Sequence, residues 1–134
     1  MISDDRSPPA NPDRYVLVVE DEPIVRMAAL QAVAEAGFTP VEARNATEAV
    51  QILETRTDIR IVFTDIDMPG GLTGTQLAAA IRDRWPPIEI ILTSGNLRPA
   101  AELLPARSIF LAKPYSDAKL ASTLWSFVAD RRAN

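Results

Sequence analysis

The sequence predicts a doubly wound α/β domain, and three observations carry that prediction. Short apolar runs rich in β-branched residues alternate with longer segments whose apolar residues recur at helical spacing. The alternation of strand and helix repeats along the chain, which builds a parallel sheet covered on both faces. At 134 residues the chain has the length of one such domain.

Each element follows from its residues. Tyr15–Val19, Ile61–Phe63, Ile88–Leu92 and Ile109–Ala112 are nearly continuous apolar runs, as strands buried on both faces should be. Thr39–Ala43 is a weaker strand, placed by Gly37, a good stop for the helix before it. Pro23 suits a first helical turn, and Met27, Leu30 and Ala34 are spaced to face a core. Asn45 with Glu48 three residues on resembles a capping box, opening a helix with Ala46, Ala49, Val50 and Leu53 on one face. Leu77, Ile81 and Trp85 mark a third helix, stopped by Pro86 and Pro87. Leu120, Leu124, Phe127 and Val128 mark the last helix, and Pro99 and Pro105 leave room for only a short one between Asn96 and Pro105. Residues 1–13 are polar, with Pro8, Pro9 and Pro12, and are expected to form a disordered tail. The domain is expected over 14–131, with 132–134 as a C-terminal tail and no second domain.

Composition narrows the chemistry. The chain has no His and no Cys, which excludes imidazole acid–base catalysis, thiolate nucleophiles and the usual zinc sites. A net charge of −4 argues against a nucleic-acid surface. No apolar run approaches the roughly 20 residues that cross a bilayer, so no membrane role is expected. The N-terminus lacks the apolar stretch of a secretory signal, and the expected location is the cytoplasm.

In open parallel sheets, functional groups gather beyond the carboxyl ends of the strands. Those ends read Glu20-Asp21-Glu22, Asp65 with Asp67 two residues on, Thr93-Ser94, and Lys113-Pro114. Two unit charges about 4 Å apart repel by about 4 kcal/mol at an effective dielectric near 20, so converging carboxylates hold a proton or a cation. An all-oxygen cluster suits a hard divalent ion, Mg²⁺ best. A carboxylate nucleophile, a divalent ion, a lysine and a hydroxyl are the parts that accept and hold a phosphoryl group. The competing reading of Glu20-Asp21-Glu22 is a plain helix cap before Pro23. Gly70, Gly71 and Gly74 do not have the spacing of a dinucleotide loop.

The set Val19-Glu20-Asp21-Glu22, Val62-Phe63-Thr64-Asp65-Ile66-Asp67-Met68-Pro69, Ile91-Leu92-Thr93-Ser94-Gly95 and Leu111-Ala112-Lys113-Pro114 closely resembles the receiver domains of two-component response regulators. The resemblance runs in order from about Tyr15 to Arg131. It implies a flavodoxin-like (βα)5 fold with a five-stranded parallel sheet in the order 2-1-3-4-5. It implies Asp65 as phosphoacceptor, Asp21 as direct Mg²⁺ ligand, Glu20 acting through water, and the backbone carbonyl of Asp67 completing the protein ligands. Thr93 would contact the phosphoryl oxygen and Lys113 would pair first with Asp65 and then with the phosphoryl group. Lys113-Pro114 would be a cis peptide, and Phe110 would fall at an aromatic switch position.

By the same resemblance the expected role is that of a stand-alone receiver. A histidine kinase or histidine phosphotransfer protein would be the phosphodonor, and an unknown downstream protein the target of the switched form. The chain would be a monomer or a phosphorylation-dependent dimer, a signalling switch with at most slow self-dephosphorylation. Glu20 stands where that family commonly has aspartate, the loop from Met68 to Gly74 is one residue longer than its simplest version, and Phe110 has no hydroxyl. The alternative is a phosphatase similar to haloacid dehalogenases, using Asp65 and Asp67. In that family, however, the nucleophile lies on the first strand and the metal-binding acids come last. A flavin carrier on the same fold would put a phosphate against Glu20-Asp21-Glu22, which repel it. Leu103, Leu104, Phe110 and Trp125 are open between a partner surface and core packing.

Overall fold

The computed structural model describes residues 14–68, 71–95 and 104–133, and for 129–133 the helical backbone only. In chain order the elements are β1 (Tyr15–Val19), α1 (Pro23–Glu35), β2 (Thr39–Ala43), α2 (Ala46–Thr55), β3 (Ile61–Asp65), α3 (Gly74–Arg84), β4 (Glu89–Ser94), β5 (Ser108–Ala112) and α4 (Asp117–Ala133). All five strands are parallel, in the order β2-β1-β3-β4-β5. This is the doubly wound parallel sheet that the strand pattern predicts, in the flavodoxin-like order that the receiver resemblance implies. The tail at 1–13, the short helix after Asn96, Leu103 and Asn134 lie outside the described residues, and α4 is helical to Ala133.

The sheet divides the core into two layers by the alternation of strand side chains. Leu17, Val19, Val62, Ile90 and Leu92 face one way, against Ala46, Ala49 and Leu53 of α2 and Leu77, Ala78 and Ile81 of α3. Val16, Val18, Ile61, Phe63, Ile91 and Leu111 face the other way, against α1 and the Leu120, Leu124, Phe127 and Val128 stripe of α4. β3 and β4 run past their apolar stretches, because Asp65 pairs with Thr93 and Ser94 with Ala112 in the ladder. Leu104 and Phe110 are half-buried against the α2/α3 layer, which is core packing.

One helix face corrects the sequence reading. Leu30 is half-buried against the core as expected, but Met27 is 66% exposed and Ala34 is exposed, and the buried stripe of α1 is Arg26, Ala29, Ala32 and Val33. Small side chains let this helix lie close to the sheet, and Arg26 reaches hydrogen-bond partners at its edge. The capping boxes also differ from expectation. Asn45 Oδ1 accepts from Glu48 N at 2.8 Å, but the Glu48 carboxylate turns to Arg44 N at 2.7 Å. The reciprocal box is at α3, where the Thr73 hydroxyl and Gln76 side chain each take the other's backbone N–H.

The end of α1 is built by Gly37. Its φ of +99° lets its N–H donate to Ala34 O at 3.0 Å while Phe38 N–H donates to Val33 O at 3.2 Å, a Schellman closure. Trp125 of α4 covers this turn, its Nε1–H donating to Ala36 O at 2.8 Å and its ring tilted against Phe38. Although 36% exposed, Trp125 is thus committed to the fold. A Cβ on residue 37 would lie 3.3 Å from the Trp125 ring in a backbone region that L side chains disfavour. Gly37→Ala is therefore expected to lower stability by about 1–2 kcal/mol in chemical denaturation, with an unchanged midpoint as the contrary result.

Candidate functional site

Alternation along the strands decides which polar residues meet. The face that carries Val16 and Val18 continues to Glu20, Ile61 and Phe63 to Asp65, Ile91 to Thr93, and Leu111 to Lys113. Register places them at one level. Val19 pairs with Thr64, Asp65 with Thr93 and Ser94 with Ala112, so Glu20, Asp65, Thr93 and Lys113 line the same edge, on the side covered by α1 and α4. Four residues far apart in sequence share a cleft because four strands end together.

Within the cleft, carboxylate oxygens of Glu20, Asp21 and Asp65 lie within 4.8 Å of one another. Lys113 Nζ is 3.3 Å from Asp65 Oδ2 and 3.7 Å from Glu20 Oε1. Asp65 Oδ1 accepts from Asp67 N at 3.2 Å, which curls the chain after β3 around the carboxylate. Thr93 Oγ1 donates to Leu111 O at 2.7 Å, toward β5. The Asp67 carboxylate accepts from Ser94 Oγ at 2.6 Å, tying the loop after β3 to the end of β4. The Lys113–Pro114 peptide is cis. Tyr115 closes one wall, edge-on to Phe63.

The electrostatics are unbalanced. Glu20 and Asp65 are only 4% and 6% exposed, yet three carboxylates face one lysine. Burial pushes the Glu20 carboxyl up from 4.5 to about 7, with the Asp65 charge adding to it and the Glu22 N–H and Lys113 opposing. The Tyr115 hydroxyl is pushed up to about 12, first by burial and then by the charges of Glu20, Asp117 and Asp65. Oxygen donors alone, three carboxylates beside one lysine, fit Mg²⁺.

Gly74 has a structural role that its spacing in the sequence does not show. It begins α3, and its N–H donates to Ile66 O at 3.0 Å. A Cβ there would sit 2.1 Å from Asp65 O and 2.6 Å from Ile66 Cα. Only glycine lets α3 start against the backbone that holds Asp65. The signal was available as a glycine one turn after an acidic loop, but the close approach needs the third dimension. Phe110 is half-buried on β5, paired with Leu92.

Comparison with known proteins agrees with this fold. A family model described as the response regulator receiver domain matches residues 16–124. The sensor kinase CckA of Brucella abortus (strain 2308) is 39% identical over 113 residues, 81% of this chain but 12% of the kinase. The chain thus spans a small part of that relative's length. A response regulator receiver protein from Sinorhizobium medicae WSM419 superimposes with a TM-score of 0.78 at 26% identity, covering 87% of this chain and 95% of that one. Response regulator protein TrrA from Thermotoga maritima, in complex with Mg²⁺ and BeF, superimposes with a TM-score of 0.74 at 24% identity, covering 85% and 98%. Among the described residues, no helix is long and apolar enough to cross a membrane.

The raised Glu20 value predicts a pH dependence. Between 4.5 and about 7 the folded state holds more protons on this group than the unfolded chain, so stability falls as pH rises through that window. Glu48 and Asp58, held low by Arg44 and Arg56, titrate below it. In chelator, the thermal midpoint is expected to drop from pH 5 to pH 7.5, and Glu20→Gln to remove most of that drop. A wild-type midpoint that rises over the window contradicts the assignment.

Proposed function

The chain belongs to the response regulator receiver domain family, and on that premise we propose that Asp65 accepts a phosphoryl group from a partner's phosphohistidine in a Mg²⁺-dependent phosphorelay. The observation that carries the proposal is the convergence of three carboxylates on one edge with Lys113 Nζ 3.3 Å from Asp65 Oδ2. The chain has no histidine, so the phosphohistidine comes from outside these 134 residues, on a histidine kinase or a phosphotransfer protein.

Asp21 and Asp65 would hold Mg²⁺ through carboxylate oxygens, Glu20 through water and Asp67 through its backbone carbonyl. When bound, the ion supplies positive charge beside the phosphoryl oxygens. The chain's own residues do the rest. A carboxylate oxygen of Asp65 attacks phosphorus, and the bond to the donor's imidazole nitrogen breaks with the electron pair leaving on nitrogen. Asp67 N–H restrains the other oxygen and keeps the carboxylate in one orientation. Lys113 neutralises Asp65 before transfer and the phosphoryl group after it.

The switch follows from Thr93. At rest its hydroxyl donates to Leu111 O. A phosphoryl oxygen on Asp65, its ladder neighbour, offers a stronger charge-assisted partner. Turning Thr93 inward frees the Leu111 carbonyl on β5, and Phe110, on the other face of that strand and without a hydroxyl to bond, responds through packing. The altered β4/β5 surface then binds a downstream protein, or the phosphoryl group passes on.

Incubation with acetyl phosphate and Mg²⁺ is expected to add one phosphoryl mass, measured by intact-mass spectrometry. Chelator and Asp65→Asn should each abolish it. Equal labelling of Asp65→Asn would place the nucleophile elsewhere.

A further inference from the structure

We propose that Arg26 is a positioning residue for the acidic cluster, setting its cation affinity without touching the cation. The inference rests on the reading of that cluster as a divalent-ion and phosphoryl site.

Arg26 lies on the inner stripe of α1 with Ala29, Ala32 and Val33, and is 9% exposed. A guanidinium in such surroundings is held only where its donors are used. Nη1 donates to the backbone carbonyl of Glu20 at 2.9 Å, a buried bond, and Nε donates to Glu42 Oε2 at 2.6 Å. Glu20 is the residue at which the chain leaves β1. Its N–H still reaches Ala43 O on β2 at 3.2 Å, while its carbonyl lies past the last β1–β3 pair, Val19 with Thr64, and goes to Arg26. Its side chain then turns back to take Glu22 N–H at 3.1 Å. The turn that presents Glu20 and Asp21 to Asp65 is therefore pinned at its carbonyl by one side chain of α1, and that side chain is aimed by β2.

The Glu42 carboxylate is half exposed, with side-chain exposure of 51%, so its ion pair contributes aim more than energy. The bond to Glu20 O is the buried one. Without it the carbonyl loses its partner and the turn is free to move, spreading carboxylates whose spacing decides how well an oxygen-coordinated ion is held. Arginine can reach both partners at once through a rigid fork, which a lysine ammonium on a single arm cannot do.

The test is calorimetric titration of the whole chain with MgCl2 alone, below the melting range of each variant. Arg26→Gln is expected to weaken Mg²⁺ binding roughly 10-fold, Arg26→Lys to fall between it and wild type, and Glu42→Gln to give a smaller loss. With acetyl phosphate, the Mg²⁺ concentration for half-maximal labelling should shift by the same factor while the rate at saturating Mg²⁺ stays within about twofold. A folded Arg26→Gln with wild-type Mg²⁺ affinity overturns the proposal, as does a rate loss that saturating Mg²⁺ leaves in place. Should Arg26→Gln not fold, wild-type affinity in both Arg26→Lys and Glu42→Gln overturns it. Wild-type protein that binds no Mg²⁺ defeats the underlying reading of the cluster, a failure seen before any substitution is made.

Discussion

Like charges brought together at the edge of a sheet are the constraint on which the rest depends. Glu20, Asp21 and Asp65 converge with Lys113 as their nearby cation, and the first and third are almost wholly buried. Repulsion of this kind is tolerated only where the fold resists it or a counterion offsets it. The fold resists through backbone. Four parallel strands end together, Gly74 admits α3 against Asp65, and Arg26 holds the carbonyl of Glu20. Carboxylates that cannot move apart suit a small, doubly charged cation.

Much of this was legible in the sequence because strand residues alternate. Once Val16 and Val18, Ile61 and Phe63, Ile91, and Leu111 are assigned to one face, Glu20, Asp65, Thr93 and Lys113 must follow them. The order of apolar runs and helical segments suffices for a doubly wound parallel sheet, while the strand order came from the resemblance of the motifs to the receiver family. The polar ends of β3 and β4 were harder, since Thr64, Asp65, Thr93 and Ser94 look like loop residues but pair in the ladder.

Other features were hidden for physical reasons. α1 carries two possible stripes, one with Met27 and Ala34, the other with Arg26, Ala29 and Val33, and Leu30 lies half-buried against the core between them. Side-chain hydropathy favours the first, but the helix buries the second because small residues permit close packing and Arg26 has partners. The role of Gly74 depends on a contact with residues eight and nine positions earlier, and the Ser94–Asp67 bond joins two strand ends. Neither leaves a periodic trace in the sequence.

The central claim, that the acidic edge is built for a doubly charged cation, is met most directly by counting ions. Equilibrium dialysis of wild-type protein and an Asp21→Asn, Asp65→Asn double variant against Mn²⁺, followed by metal analysis, compares the two at equal protein. One ion retained per wild-type chain and none per variant chain is the predicted result. Equal retention by both proteins would contradict it.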